Sequence, residues 1–344
     1  MSGTLYGTTQ FGGVFGNGTV YKISTSGAEI AVYSFAGGGD GANPYAGLTN
    51  VAGTLYGTTD FGGASGSGAV YKIVCKITVC TDSVLHSFAG GSDGAHPSAE
   101  LINVAGTLYG TTEEGGTGNN GTIYKIATSG AETVLYSFAG GTDGADPAFG
   151  CLINLRGTLY GMTYAGGTSN DGTIYKVTTS GVHTVLYSFA GGIDGANPYT
   201  GLTNVNGTLF GTTYQGGTGG FGTIFALANK SFPEFVLYSF KGRAAGDGAY
   251  PLAGLTNVGG TLYGTTEEGG DAAWGTVFAL SLGGADAERI IAHAPPVLAR
   301  GSRDQSSFVL PPLTIAELHG QDQNSVVSPL QRSFDRIRRR TKLR

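Results

Sequence analysis

GTLYGMTYAGGTSNDGTIYKVTTSGVHTVLYSFAGGIDGANPYTGLTNV, residues 157–205, holds four short phrases that recur in fixed order along the chain. They are GTLYGMT, GTIYKV, TVLYSF and, after a loop GGIDGANP, the phrase TGLTNV. Each is four to seven residues long and rich in aromatic and β-branched residues, as a short β-strand should be. The links are YAGGTSND and TTSG, glycine-bearing turns that read as hairpin connections. Proline cannot donate to a strand ladder, so the last strand of the set begins after Pro198. In Gly172–Val177 polar and apolar residues do not alternate cleanly, which predicts burial on both faces, as between packed sheets.

Working outward, the phrase G-T-L-Y/F-G starts at Gly3, Gly53, Gly106, Gly157, Gly207 and Gly260, at intervals of 50, 53, 51, 50 and 53 residues. A period in this range is that of a four-stranded propeller blade. The sequence therefore predicts an all-β fold, a β-propeller of about six repeats with three- to four-stranded blades, over residues 1–284. A parallel β-helix is the rival fold, but its coils run roughly 20–30 residues and need no Gly/Pro loop in each. Counting phrases gives 22 strands: five GL-type, six GTLYG, six GT-x-Y/F and five LYSF. That fits six blades with a three-stranded blade at each end, or part of a larger ring. The second repeat carries three extra residues between Tyr71 and Phe88, around Cys75 and Cys80, and the last repeat supplies no LYSF phrase.

Composition supports this reading. Among 344 residues there are 63 Gly, 18 Tyr and 17 Phe, with only 12% charged, and the glycine has no collagen period. Frequent chain reversals account for the glycine. Residues 1–284 carry 9 Lys/Arg and 18 Asp/Glu, a net −9 that makes a poor nucleic-acid surface. Residues 285–344 carry 10 Lys/Arg and 6 Asp/Glu, a net +4, with Pro295-Pro296, Pro311-Pro312 and a basic run Arg336–Lys342. They read as a low-complexity, disordered tail. No run of about 18 apolar residues is present. The start, MSGTLYGTTQFGG, falls inside a repeat and lacks the regions of a secretory signal, so a truncated N-terminus is expected.

The string GTLYGTT…GG…GT-Y-K…LYSF-GG-DGA-P-GL resembles the gloVer-type tandem repeat of bacterial surface-associated proteins, phrase by phrase over about residues 1–282. The resemblance implies a secreted or cell-envelope repeat protein, often with a C-terminal sorting or anchoring segment. It implies no catalytic residue.

An array supplies its own control. A residue type present in every repeat serves the shared fold; one present once or twice is free to serve a ligand. The Asp-Gly pairs at Asp40, Asp93, Asp143, Asp194 and Asp247 recur, and each loop offers one carboxylate where Ca²⁺ takes about six to eight oxygens. An Asx-type turn is the preferred reading over a calcium site, and no cofactor is expected. Tyr6, Tyr56, Tyr109, Tyr160 and Tyr263 sit mid-strand at one phase and read as core.

The positions after G-T-T vary: Gln10-Phe11, Asp60-Phe61, Glu113-Glu114, Tyr164-Ala165, Tyr214-Gln215 and Glu267-Glu268. They are expected to ring one face of the propeller. Glu113, Glu114, Tyr164, Tyr214, Glu267 and Glu268, with the single tryptophan Trp274, are the candidate residues for a polar ligand or glycan. A weakly constrained exposed loop would show the same variation. The histidines His86, His96, His183, His293 and His319 occupy unrelated phases, and the paired glutamates are adjacent in sequence rather than opposed. A non-catalytic binding or scaffold protein is therefore expected, with a spacer array and then a polysaccharide hydrolase as alternatives. Cys75 and Cys80 flank a hairpin turn, where a disulfide forms in an oxidising compartment and two thiols persist in a reducing one. Cys151 reads as a small buried residue.

Overall fold

The computed structural model describes residues 4–75, 80–147, 149–227, 234–270 and 273–282, and the backbone of 289–293. The chain forms a six-bladed β-propeller built from antiparallel sheets. The fourth blade shows the plan. An inner strand Ile153–Leu155 is followed by Thr158–Thr163, Thr173–Thr178 and the outer strand His183–Ser188, each paired with the next. The inner strands of neighbouring blades meet around the axis, where Thr49 donates to the Leu101 carbonyl and Thr203 to that of Leu255. The first blade has three strands, Thr4–Thr9, Thr19–Ser24 and Glu29–Ser34.

The last blade differs from expectation. It has five strands rather than three. Gly248–Pro251, the loop segment of other repeats, pairs here with Thr261–Gly269. Arg289–His293 takes the outer place against Thr276–Ser281, although it carries no LYSF phrase and lies within the stretch expected to be tail. Backbone pairing needs only an open strand edge, whose unpaired N–H and C=O groups accept any extended segment in reach. The basic run Arg336–Lys342 lies outside the described residues.

The core sits between blades. The LYSF phenylalanine of one blade packs edge-to-face on the third-strand aromatic of the next. The pairs are Phe35–Tyr71, Phe88–Tyr124, Phe138–Tyr175, Phe189–Phe225 and Phe240–Phe278, with ring centroids 4.9–5.2 Å apart. Around these pairs five apolar clusters close the successive blade junctions. Such pairs add about 0.5–1.5 kcal/mol each beyond the area they bury. The glycine of GTLYG is needed because the next strand's ring lies over it: a Cβ on Gly161 would sit 2.5 Å from the Tyr175 hydroxyl oxygen. The recurrent threonines are paired as well. Thr163 and Thr173 hydroxyls lie 2.8 Å apart, and the same pair recurs at Thr112–Thr122, Thr213–Thr223 and Thr266–Thr276. Tyr56, Tyr109 and Tyr160 are buried.

Candidate functional site

Antiparallel order brings several segments to one face. The loop G-x-D-G-A-x-P enters the inner strand from this face, and the GTLYGTT strand returns to it, so the residues after Pro and after G-T-T rim the same mouth. The Asp-Gly aspartates hold the rim up. Asp143 accepts from the Tyr136 hydroxyl (2.8 Å) and the Ala139 N–H (2.8 Å), and Asp40 and Asp194 accept from the equivalent Tyr and Ala. Asp247 accepts from Tyr238 and the Lys241 N–H. Each of these carboxylates is met by an O–H and an N–H donor of its own blade.

The residue before the loop proline is left-handed in every described repeat: Asn43 (φ 58°), His96 (59°), Asp146 (58°), Asn197 (55°) and Tyr250 (60°). Asn, Asp and His are the non-glycine residues that most readily take this conformation; a bulky tyrosine there is uncommon and strained. Asn43 and Asn197 donate to the backbone carbonyls of Gln10 and Tyr164, tying one blade to the preceding one. His96 copies the contact, with Nδ1 3.0 Å from the Asp60 carbonyl and 3.2 Å from its carboxylate. Both partners are acceptors, so Nδ1 carries the proton. The hydrogen bond to Asp60 raises the imidazole pKa above its ordinary value. Tyr250 instead turns its ring onto Tyr214, centroids 5.0 Å apart.

That contact is one link in a run of aromatic rings around the mouth. Phe149 stacks on Tyr199 (4.4 Å, 12° between planes) and meets Tyr45 edge-on at 5.1 Å. Tyr199 reaches Tyr164 at 5.9 Å and Tyr214 at 6.2 Å. Below them lies a cavity of about 320 Å³ lined by Tyr45, Phe149, Tyr199, Leu252 and the entries of the inner strands. Tyr214 donates to Glu267 Oε2 at 3.2 Å, and burial followed by the Glu267 charge raises the Tyr214 pKa, keeping the phenol protonated. The chemistry on offer is apolar ring faces with a few fixed polar atoms at their edge, the usual make-up of a small-molecule site. Two further departures approach the axis. Where other repeats have Gly47, Gly201 and Gly254, the chain has Glu100 and Cys151. Burial raises the pKa of both, Cys151 to about 11.

Of the residues expected from sequence, Tyr164, Tyr214 and Glu267 join this cluster. Glu113 and Glu114 lie on the rim of the third blade; the Glu114 backbone pairs with Ala95, and its charge acts on His96. Glu268 pairs through its backbone with Ala249, and Trp274 stands exposed in a hairpin loop of the last blade. Sequence reasoning missed Tyr45, Phe149, Tyr199 and Tyr250. For Tyr45, Tyr199 and Tyr250 the signal was the variable position beside the loop proline, open to the same comparison between repeats; Phe149 lies one residue further on, after Ala148. At the end of the second blade's long hairpin, Cys75 and Cys80 face each other in register and are joined as a disulfide.

Three solved structures share the fold. One is the periplasmic gluconolactonase PpgL of Pseudomonas aeruginosa (13% identity, TM-score 0.52, 85% of this chain and 82% of that one). Another is a candidate 6-phosphogluconolactonase of Bacteroides uniformis (13%, 0.52, 84% and 80%). The third is PorZ, a surface component of the type-IX secretion system of Porphyromonas gingivalis (14%, 0.53, 86% of this chain and 41% of that one). At these identities the likeness is one of fold. No curated protein matches the sequence. No helix among the described residues is long and apolar enough to cross a membrane. The model of the Gloeobacter/Verrucomicrobia repeat matches residues 1–151 and 140–307, and the chain belongs to that bacterial repeat family.

Proposed function

We propose that this propeller is a non-catalytic binding module whose axial mouth takes a glycan, and that it works outside the cytoplasm. The observation that carries the reading is the aromatic run Tyr45–Phe149–Tyr199–Tyr214–Tyr250 over an open cavity. These rings stand where the array does not need them, since the corresponding positions of other repeats hold Ser98 or Asn43. Flat apolar faces edged by hydroxyls and a carboxylate suit a sugar ring, which presents C–H groups on its faces and hydroxyls at its rim. The Cys75–Cys80 disulfide supports an oxidising compartment. Binding to a panel of neutral and acidic cell-wall polysaccharides tests the proposal. The variants Tyr199→Ala and Phe149→Ala are each expected to weaken binding about tenfold, or about 1.4 kcal/mol, with the melting temperature little changed. Unchanged binding in the double variant refutes the site, and absence of binding to every polysaccharide favours a spacer array. New reducing ends on incubation would point to a hydrolase instead.

A further inference from the structure

A second site lies away from the mouth, at the outer junction of the second and third blades. The first three junctions repeat one arrangement. The LYSF tyrosine faces the Asp-Gly aspartate of its own blade, and a polar residue four positions before the next blade's LYSF aromatic approaches from across the gap. At the first junction the trio is Tyr33, Asp40 and Asp82; at the third it is Tyr136, Asp143 and His183. At the second, histidine replaces the tyrosine, and the trio is His86, Asp93 and Glu132.

We propose that His86, Asp93 and Glu132 bind a divalent transition-metal ion of the Zn²⁺ type. Three observations carry it. The ligand atoms, one imidazole nitrogen and two carboxylate oxygens, all lie within 4.8 Å of one another. Bonds of about 2.0–2.2 Å in a tetrahedral site set ligand atoms roughly 3.3–3.6 Å apart; His86 and Asp93 already lie that close, and the remaining closure, about 1 Å, falls to rotation of the Glu132 side chain. Second, the ligands are held from behind. The Ala89 N–H fixes Asp93 Oδ2 at 2.7 Å, both oxygens of that carboxylate flank His86 Nε2 at 3.1 and 3.2 Å, and the imidazole packs edge-on against the buried Phe88 ring. Third, Glu132 Oε1 is buried with no hydrogen-bond partner. A buried acceptor left unmet is costly, and an ion would satisfy it. The imidazole favours zinc-type ions over Mg²⁺ or Ca²⁺, which prefer all-oxygen sets. His86 and Asp93 are about one-fifth exposed, so water can complete the coordination.

The array supplies the control variant. His86→Tyr restores the residue found at Tyr33, Tyr136, Tyr187 and Tyr238, so it is expected to fold. After EDTA treatment and dialysis, ZnCl₂ at about a hundred times its dissociation constant should raise the melting temperature of the parent protein by about 5 °C. Isothermal titration should give one site per chain. Both signals should vanish in His86→Tyr and in Glu132→Gln, and both should persist in His96→Asn, which places the array's own asparagine at the other histidine-bearing position. The proposal is overturned by a parent protein indifferent to millimolar Zn²⁺, by a response kept in His86→Tyr, or by one lost equally in His96→Asn.

Discussion

Tyr175→Phe should stabilise the protein, though it removes a polar group from the middle of a blade. Tyr71, Tyr124 and Tyr175 are fully buried, and none of their hydroxyl oxygens has a hydrogen-bond partner. Burial raises their pKa values far above the ordinary phenol range, so each is neutral at any workable pH. An unmet buried hydroxyl costs about 1–3 kcal/mol. Removing the oxygen leaves a void of about 12 Å³, worth about 0.3 kcal/mol at the usual cavity rate. The net gain is then about 0.7–2.7 kcal/mol per site. The chain makes the same exchange itself, with Phe225 and Phe278 at this position in the last two blades. Urea unfolding followed by circular dichroism and by tyrosine fluorescence measures it, provided the two transitions coincide and the m-value is unchanged. The reverse change, Phe225→Tyr, should cost a similar amount. A loss above about 1 kcal/mol in Tyr175→Phe would show that the phenol has a partner, such as an ordered water, and would refute the reasoning.

Gly161→Ala should destabilise by about 2 kcal/mol or more, because the new Cβ would fall 2.5 Å from the Tyr175 hydroxyl oxygen; thermal melting reads it. Replacing both Cys75 and Cys80 with Ala should cost about 2 kcal/mol, the loop-closure value for so short a ring, and dithiothreitol should lower the parent's melting temperature alike. Acidification from pH 8 to 5 should raise stability, measured in EDTA. Burial first and then a neighbouring aspartate lift Asp82 and Glu132 to about 7, so between their unfolded values and 7 the native state binds more protons than the unfolded one. That contribution is complete below the unfolded pKa and is lost as pH rises through about 7. His183, lowered by burial, opposes it below about 6.5, where the unfolded chain takes up the proton first. Asp82→Asn with Glu132→Gln should flatten the slope. CaCl₂ should leave the melting temperature unchanged, since the Asp40, Asp143 and Asp247 carboxylates already accept N–H or O–H donors.

What the sequence made legible follows from what the array repeats. Strand identity and the structural work of the Asp-Gly loops show in the phrases because five blade junctions impose the same packing five times. The mouth was half legible. Tyr164 and Tyr214 stand at a variable position at a strand end and could be placed on one face. Phe149 could not, because an extra residue before Leu152 shifts its phase, and a shift of one residue in an extended segment exchanges faces. Only the fold shows that the shifted chain takes up φ +59° at Phe149 and lays that ring on Tyr199. The blade-junction trios were hidden for a related reason. Leu186 bulges out of register between Val185 and Tyr187, so parity counted back from Tyr187 does not carry to His183. The same bulge recurs at Leu85 between Val84 and His86, and there it separates Asp82 from the histidine that replaces tyrosine. Period-2 reasoning fails at the residues whose phase the backbone has reset. In this chain those residues are the ones that depart from the repeat, because a scaffold held by Phe–aromatic pairs and threonine ladders tolerates change wherever neither is touched.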